Sequence, residues 1–261
     1  MDDLCYYVVR EYRGERHTVN ESIQQLFERT SVRAFTGEPI SEADERVILE
    51  AACQAPTAGN QQLYSIIVVR DQAEKEALSQ SCDHQPFIAK APLVLVFCAD
   101  VRRWYQAFLA EDGVEPRQPG VGDALLATID ATIAAQNAVV AAQSLGLGSC
   151  YIGDILENCE EQRDILGLPS YVMPACMLVI GHPTEQQIRR RKPTRFELET
   201  VVFENHYRVQ EANEIRSALA HKQAGLRETL SQFCARKWNS DFSREMTRSV
   251  RAWLEGFPFE G

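Results

Sequence analysis

The stretch from Asp123 to Leu145 limits what this chain can become more than any other. It is mostly Ala with Leu, Ile and Val, and it stops at Gly146 and Gly148, as a helix C-terminus does. A helix that is apolar around most of its circumference is buried on several sides. Asp130, Gln136 and Asn137 interrupt it and argue against a membrane span. The longest unbroken apolar run, Ala91 to Ala99, is far shorter than the about 20 residues a bilayer requires. A chain of 261 residues can bury such a helix in its own core, since about 70–75% of the unfolded surface is lost at this size.

Around that helix the pattern alternates without strict strand–helix–strand order. Thr18-Val19-Asn20-Glu21 has the form of a capping box, with Ile23, Leu26 and Phe27 continuing at helical spacing to about Arg29. A second helix carries Val47, Ile48, Ala51 and Ala52, and a loop follows from Gln54 to Gln62. Tyr64 to Val69, Leu93 to Phe97, Cys150 to Ile152 and Cys176 to Ile180 read as buried strands, with a further short strand at Val201 to Phe203. Asp71 caps a helix containing Ala77 and Leu78. Gly113 to Gly122 reads as a surface excursion, and Ile155 to Leu166 as a helix stopped by Gly167 and Pro169. The remainder is largely helical and more polar. This pattern predicts an α+β fold with helices packed on a mixed sheet.

Charge and cysteine usage narrow the function classes. Lys plus Arg is 27 and Asp plus Glu is 37, a net of 27 − 37 = −10. Such a surface repels nucleic acid and anionic lipid unless a local basic patch overrides it. None of the eight cysteines is in CxxC spacing. With no secretory signal at the N-terminus, they read as buried small hydrophobes in a reducing cytoplasm, and no metal site is expected. There is no P-loop, no HExxH and no GxSxG, and Gly146-Leu147-Gly148 does not complete a dinucleotide fingerprint.

Four segments carry chemistry. In Arg29-Thr30-Ser31-Val32-Arg33, alternate residues share one side of an extended backbone. Two guanidiniums and a hydroxyl there suit a phosphate, or the Arg residues offset a helix dipole. Thr57-Ala58-Gly59-Asn60-Gln61-Gln62 offers amides suited to the pyrimidine edge of a flavin, or forms a plain polar turn. At Tyr151-Ile152-Gly153-Asp154, a glycine lets backbone approach a flat ligand, or simply turns a corner. The run Arg189-Arg190-Arg191-Lys192-Pro193-Thr194-Arg195 suits a flavin phosphate or a nicotinamide dinucleotide, or is a solvated loop. Its shortness and the overall acidity disfavour a nucleic-acid role.

Taken in order, these segments resemble the FMN-dependent nitroreductase family. The pieces are Arg29 to Phe35, Ala51 to Gln62, Gly146 to Gly153, Leu166 to Pro169 and Leu178 to Pro183. Phe97 to Asp100 and Val202 to Arg208 are most similar to the larger NADPH-preferring flavin reductase and nitroreductase branch. The resemblance covers about residues 20–208 of a single domain 1–261, with 209–261 a helical C-terminal extension. It implies an intertwined homodimer built on the long central helix, with FMN held at the interface by both chains. Arg29, Thr30, Ser31 and Arg33 then bind the phosphate and ribityl chain, completed by Lys192 and Arg195. Thr57, Asn60 and Gln85 touch the cofactor, and the backbone of Gly153 and Asp154 faces flavin N5. Thr57 stands where serine is common, and Leu63-Tyr64 replaces a Pro-Trp found in the smaller branch. NAD(P)H is the implied donor, and a nitroaromatic, a quinone or free flavin is the acceptor. The resemblance implies no obligatory catalytic side chain. A specialised flavin enzyme of the same fold, or a non-catalytic FMN-binding redox sensor, is the alternative.

Overall fold

The computed structural model describes residues 8–12, 15–222 and 228–257. They fall into two compact units, one drawn from residues 1–190 and 241–261, the other from 191–240.

The first unit opens with a hairpin, β1 (Val8–Tyr12) and β2 (Glu15–Val19), which the sequence reading leaves unassigned. Helix α1 (Glu21–Glu28) starts at Asn20, whose Oδ1 accepts from the Ile23 N–H at 3.0 Å. The expected Thr18 cap is therefore displaced by two residues, because Thr18 pairs with Val9 in the hairpin. Helix α2 (Glu42–Cys53) is capped by Ser41 and α3 (Gln72–Ser81) by Asp71, each accepting from first-turn N–H groups.

The main sheet has the order β3 (Tyr64–Val69), β4 (Leu93–Asp100), β6 (Val172–Gly181), β5 (Gly148–Ile152). All its pairings are antiparallel rather than mixed. Among the described residues, a parallel contact appears only as a single bridge, Ser31 to Ser149, beside β5. Both faces are covered, which is why β4 and β6 are buried at every residue and read as unbroken apolar runs.

Helix α6 (Val121–Ser144) covers one face. Ala131, Ala134, Ala135, Ala138 and Ala142 pack with Ile48 and Ala52 of α2 against Leu93, Leu95, Phe97, Leu178 and Ile180. Methyl side chains bring the helix close to the strands. The helix is long and apolar enough to cross a bilayer by length and composition. Its alanine stripe is instead a core contact, and Asp130 is buried among it. The expectation of burial on several sides holds for one side only, since Leu125 and Ile129 are 56% and 55% exposed.

The opposite face is covered by α3, α4 (Pro86–Ala89), α7 (Cys159–Leu166) and α12 (Asp241–Leu254). The predicted helix from Ile155 is divided there. Asp154–Leu156 forms a 3-10 turn, and Asn158 then adopts φ +51° before α7 begins. Ser249 of α12 locks this junction, its hydroxyl donating to the Leu156 carbonyl (2.6 Å) and accepting from the Cys159 N–H (2.9 Å). Helix α5 (Arg102–Leu109) follows β4, and α8 (Glu185–Ile188) follows β6.

The second unit contains α9 (Leu198–Val201), α10 (Ala212–Lys222) and α11 (Leu230–Lys237). Val201 thus ends a short helix, and the strand expected at Val201 to Phe203 is not formed. Of the described cysteines, Cys82, Cys98, Cys150, Cys159 and Cys176 are buried as expected, but Cys53 and Cys234 are exposed. Cys5 lies outside the described residues. Burial pushes the thiols of Cys82, Cys98 and Cys176 up to about 12, which leaves them inert.

Candidate functional site

The segment after α1 runs as extended chain beside β5. The Val32 N–H donates to the Ser149 carbonyl at 3.0 Å, and Phe35 bridges to Pro183. This laces Arg29 to Arg33 onto the edge of the sheet. Val32 points inward and is buried, so the alternation leaves Ser31 half-buried and Arg33 exposed. The Arg29 guanidinium lies 5.9 Å from the Tyr151 ring centroid and also lines a crevice with Gln136, Val139 and Gln143 of α6. Burial pushes the Cys150 thiol up, and Arg33, a Ser31 hydrogen bond and Arg29 pull it back. The Ser31–Ser149 bridge sets these residues along the edge of β5. Thr30, half-buried, lies between Arg29 and Ser31.

Gly153 and Asp154 continue directly from β5. Gly153 is exposed, and a Cβ built on it would meet nothing within 4 Å, so this backbone is open to a flat ligand. Gln85 stands at the N-cap position of α4, and its side-chain amide donates to the Cys82 carbonyl at 2.9 Å. Glu157 is 5% exposed. Burial, then Asp154, Asp83 and Glu245, raise its carboxyl to about 7.

Thr57 and Asn60 lie on the loop between α2 and β3. The loop holds three left-handed residues, Gly59 (φ +56°), Asn60 (φ +58°) and Gln62 (φ +52°). The two that are not glycine cost on the order of 1 kcal/mol each. Anchors on both sides hold the loop. Asp130 of α6 accepts from the Ala58 N–H (3.0 Å) and the Leu63 N–H (3.3 Å). Arg103 of α5 donates to the carbonyls of Gln62 (3.3 Å) and Tyr64 (3.2 Å), and Trp104 donates to that of Gln61 (2.6 Å). Thr57 Oγ1 accepts from the Gln62 N–H at 3.2 Å. These anchors escape the sequence reading, because nothing local marks a helix residue as a partner for a loop 39 to 72 residues away.

Beside Gln61 and Leu63, a groove of about 380 Å³ is lined by Trp104, Tyr105, Phe108 and Val114. The aromatic run on α5 is its only sequence signal. Lys192 and Arg195 belong to the second unit. Arg195 is exposed and donates to the Pro193 carbonyl at 3.4 Å, and Lys192 is half-buried. In the same basic run, Arg189 is tied to Glu185 at 3.0 Å.

Two guanidiniums, a hydroxyl and an open glycine backbone on one sheet edge form a donor set that fits a phosphate-bearing planar ligand. No group of three His, Cys, Asp or Glu able to hold a metal occurs among the described residues.

Comparison with known proteins agrees with this chemistry. The sequence pattern described as "Nitroreductase family" matches residues 26–182. The "FMN reductase [NAD(P)H]" of Bacillus subtilis strain 168 is 35% identical over 239 residues, covering 91% of this chain and 92% of that protein. The "Oxygen-insensitive NADPH nitroreductase" of Salmonella typhimurium strain LT2 is 36% identical over 191 residues, or 72% and 75% of the two chains. Among solved structures, the NADPH:FMN oxidoreductase of Vibrio harveyi complexed with NAD+ superposes with a TM-score of 0.78 at 28% identity, covering 90% of this chain and 98% of that one.

Proposed function

Because the chain belongs to the nitroreductase family, we propose that it is an FMN-dependent NAD(P)H oxidoreductase that reduces flavin, nitroaromatic or quinone acceptors by a ping-pong scheme. The observation that carries this reading is the seating of the Arg29–Arg33 segment on the edge of β5, through the Ser31–Ser149 bridge and the Val32 N–H bond to the Ser149 carbonyl, with the open backbone of Gly153 at its end. When bound, FMN would supply the two-electron redox chemistry that links the nicotinamide to the acceptor.

The protein's own contribution is binding and electrostatics. Arg29, Thr30, Ser31 and Arg33 hold the phosphate and ribityl chain. Gln85 and the Gly153–Asp154 backbone border the ring. A guanidinium at the pyrimidine end stabilises negative charge as an oxyanion hole does. No side chain has to move a proton for the hydride step. The aromatic groove on α5 lies within the size range of small-molecule sites and suits a planar acceptor.

The family resemblance assigns Thr57 and Asn60 to the cofactor of a second copy of the chain. Their loop is tied to α6 at Asp130, whereas Arg29 packs against α6 at Gln136 to Gln143. At 1.5 Å per residue these anchor points are roughly 10–20 Å apart. Pairing two copies through the exposed Leu125, Leu126 and Ile129 lets the loop of one serve the cofactor of the other. The free thiols support a cytoplasmic setting.

An absorbance spectrum before and after anaerobic NADPH tests the proposal. Yellow protein that bleaches and regains its colour with menadione is expected. Protein that takes up no FMN on titration rejects it, and bound FMN that NADPH does not bleach identifies a sensor instead.

A further inference from the structure

We propose, resting on the reading above, that Asp130 is a positioning residue. It reaches the cofactor through the loop it clamps and sets where Thr57 and Asn60 project. The side chain is 2% exposed, inside the alanine stripe of α6. A carboxylate there is costly unless hydrogen bonds satisfy it. Asp130 spends one oxygen on each end of the loop, Oδ1 on the Ala58 N–H and Oδ2 on the Leu63 N–H. Between these two points lie the left-handed residues Gly59, Asn60 and Gln62.

The opposite side of the loop is gripped through its carbonyls by Arg103 and Trp104. The amide edge is therefore read by α6 and the carbonyl edge by α5. An apolar residue at position 130 would pack as well among alanines, but it would leave the buried Leu63 N–H and the part-buried Ala58 N–H without acceptors. Asp130 also follows Ile129 of the exposed ridge directly. The loop is thereby referenced to the same turn of helix that faces the second copy. A purely structural Asp130 stabilises the core as a whole, whereas a positioning Asp130 acts locally on residues 58–63 and on what they touch.

The test uses Asp130→Asn and, as a variant that keeps the charge, Asp130→Glu, in the full chain. Hydrogen–deuterium exchange without cofactor should quicken at the 58–63 amides in both variants, with β4 and β6 unchanged. FMN titration should show affinity falling about tenfold or more, which corresponds to about 1.4 kcal/mol. Asn60→Ala combined with Asp130→Asn should weaken FMN by less than the product of the single effects, because both act through one loop. Should Asp130→Asn not fold, Asp130→Glu carries the same readings. Unchanged loop exchange, exchange raised evenly across α6 and the sheet, or FMN penalties that multiply would each overturn the proposal. Wild-type protein that binds no FMN defeats the functional reading instead, and the exchange pattern still decides whether Asp130 sets the loop.

Discussion

Gly148 offers a sharp test of how the phosphate-binding segment is seated. A Cβ built on it would lie 2.5 Å from Cγ2, 2.8 Å from Cβ and 2.9 Å from Cγ1 of Val32. Carbon atoms normally approach to about 3.5–4.0 Å, so in Gly148→Ala the Val32 side chain must retreat by about 1 Å. Val32 is β-branched, 5% exposed and tied by its N–H to the Ser149 carbonyl, so its backbone moves with it. Overpacking of this kind costs about 1–3 kcal/mol, which for a chain of this size is a melting decrease of about 2–12 °C. Ser31 and Arg33 flank Val32 and shift together. FMN affinity should fall about tenfold, the equivalent of one weakened charge-assisted hydrogen bond. Differential scanning fluorimetry and a flavin fluorescence titration read the two effects. Adding Val32→Ala removes the two Cγ contacts but keeps the 2.8 Å one, so it should restore part of both losses. Gly148→Ala with wild-type melting and wild-type FMN affinity would falsify the packing described between β5 and the Arg29–Arg33 segment.

Three further outcomes follow from the same geometry. Arg29→Ala with Arg33→Ala should weaken FMN by at least about tenfold, since each contact to a charged group is worth about 1.5–3 kcal/mol before allowance for the exposure of Arg33; equal affinity in a titration removes them from the phosphate site. Ile129→Glu should turn a dimer into a monomer on gel filtration and release FMN, and a variant that stays dimeric with bound flavin moves the interface elsewhere. Glu157 is raised to about 7 in the fold and titrates near the ordinary carboxylate value when unfolded, so the folded state binds the extra proton between these pH values. Its contribution to stability is fully present below the unfolded value and is lost as pH rises through about 7. Glu157→Gln should therefore melt higher than wild type at pH 8 and lose part of the wild-type decline between pH 5 and 8; parallel melting curves of the two proteins would refute this.

Much of the fold is legible in the chain because its signals are local. Apolar runs mark β4 and β6, Asp71 sits where it caps α3, and Gly146 lies just beyond the end of α6. The misread elements depend on pairing or on unusual backbone. Thr18 has the right spacing for a cap, but pairing with Val9 draws it into the hairpin and Asn20 takes the role. Asn158 is an ordinary polar residue within a helical pattern, yet it goes left-handed where α12 docks and gives its N–H to Glu245. Alternation alone puts Arg29, Ser31 and Arg33 on one side of the chain, and their role toward a phosphate comes only from the family resemblance. The clamps by Asp130 and Arg103 are not, because each joins a loop to a helix remote in sequence.

Helix α6 carries three duties within a few consecutive residues. Ile129 faces outward, Asp130 grips a loop, and Ala131 lies on the strands. A mutation entering this stretch disturbs several obligations at once, so the rod should tolerate little drift. Adaptation to new acceptors is then expected where the chain is less entangled, in the aromatic wall of α5 and the Pro-rich excursion after it, which can be remodelled while the spine stays put.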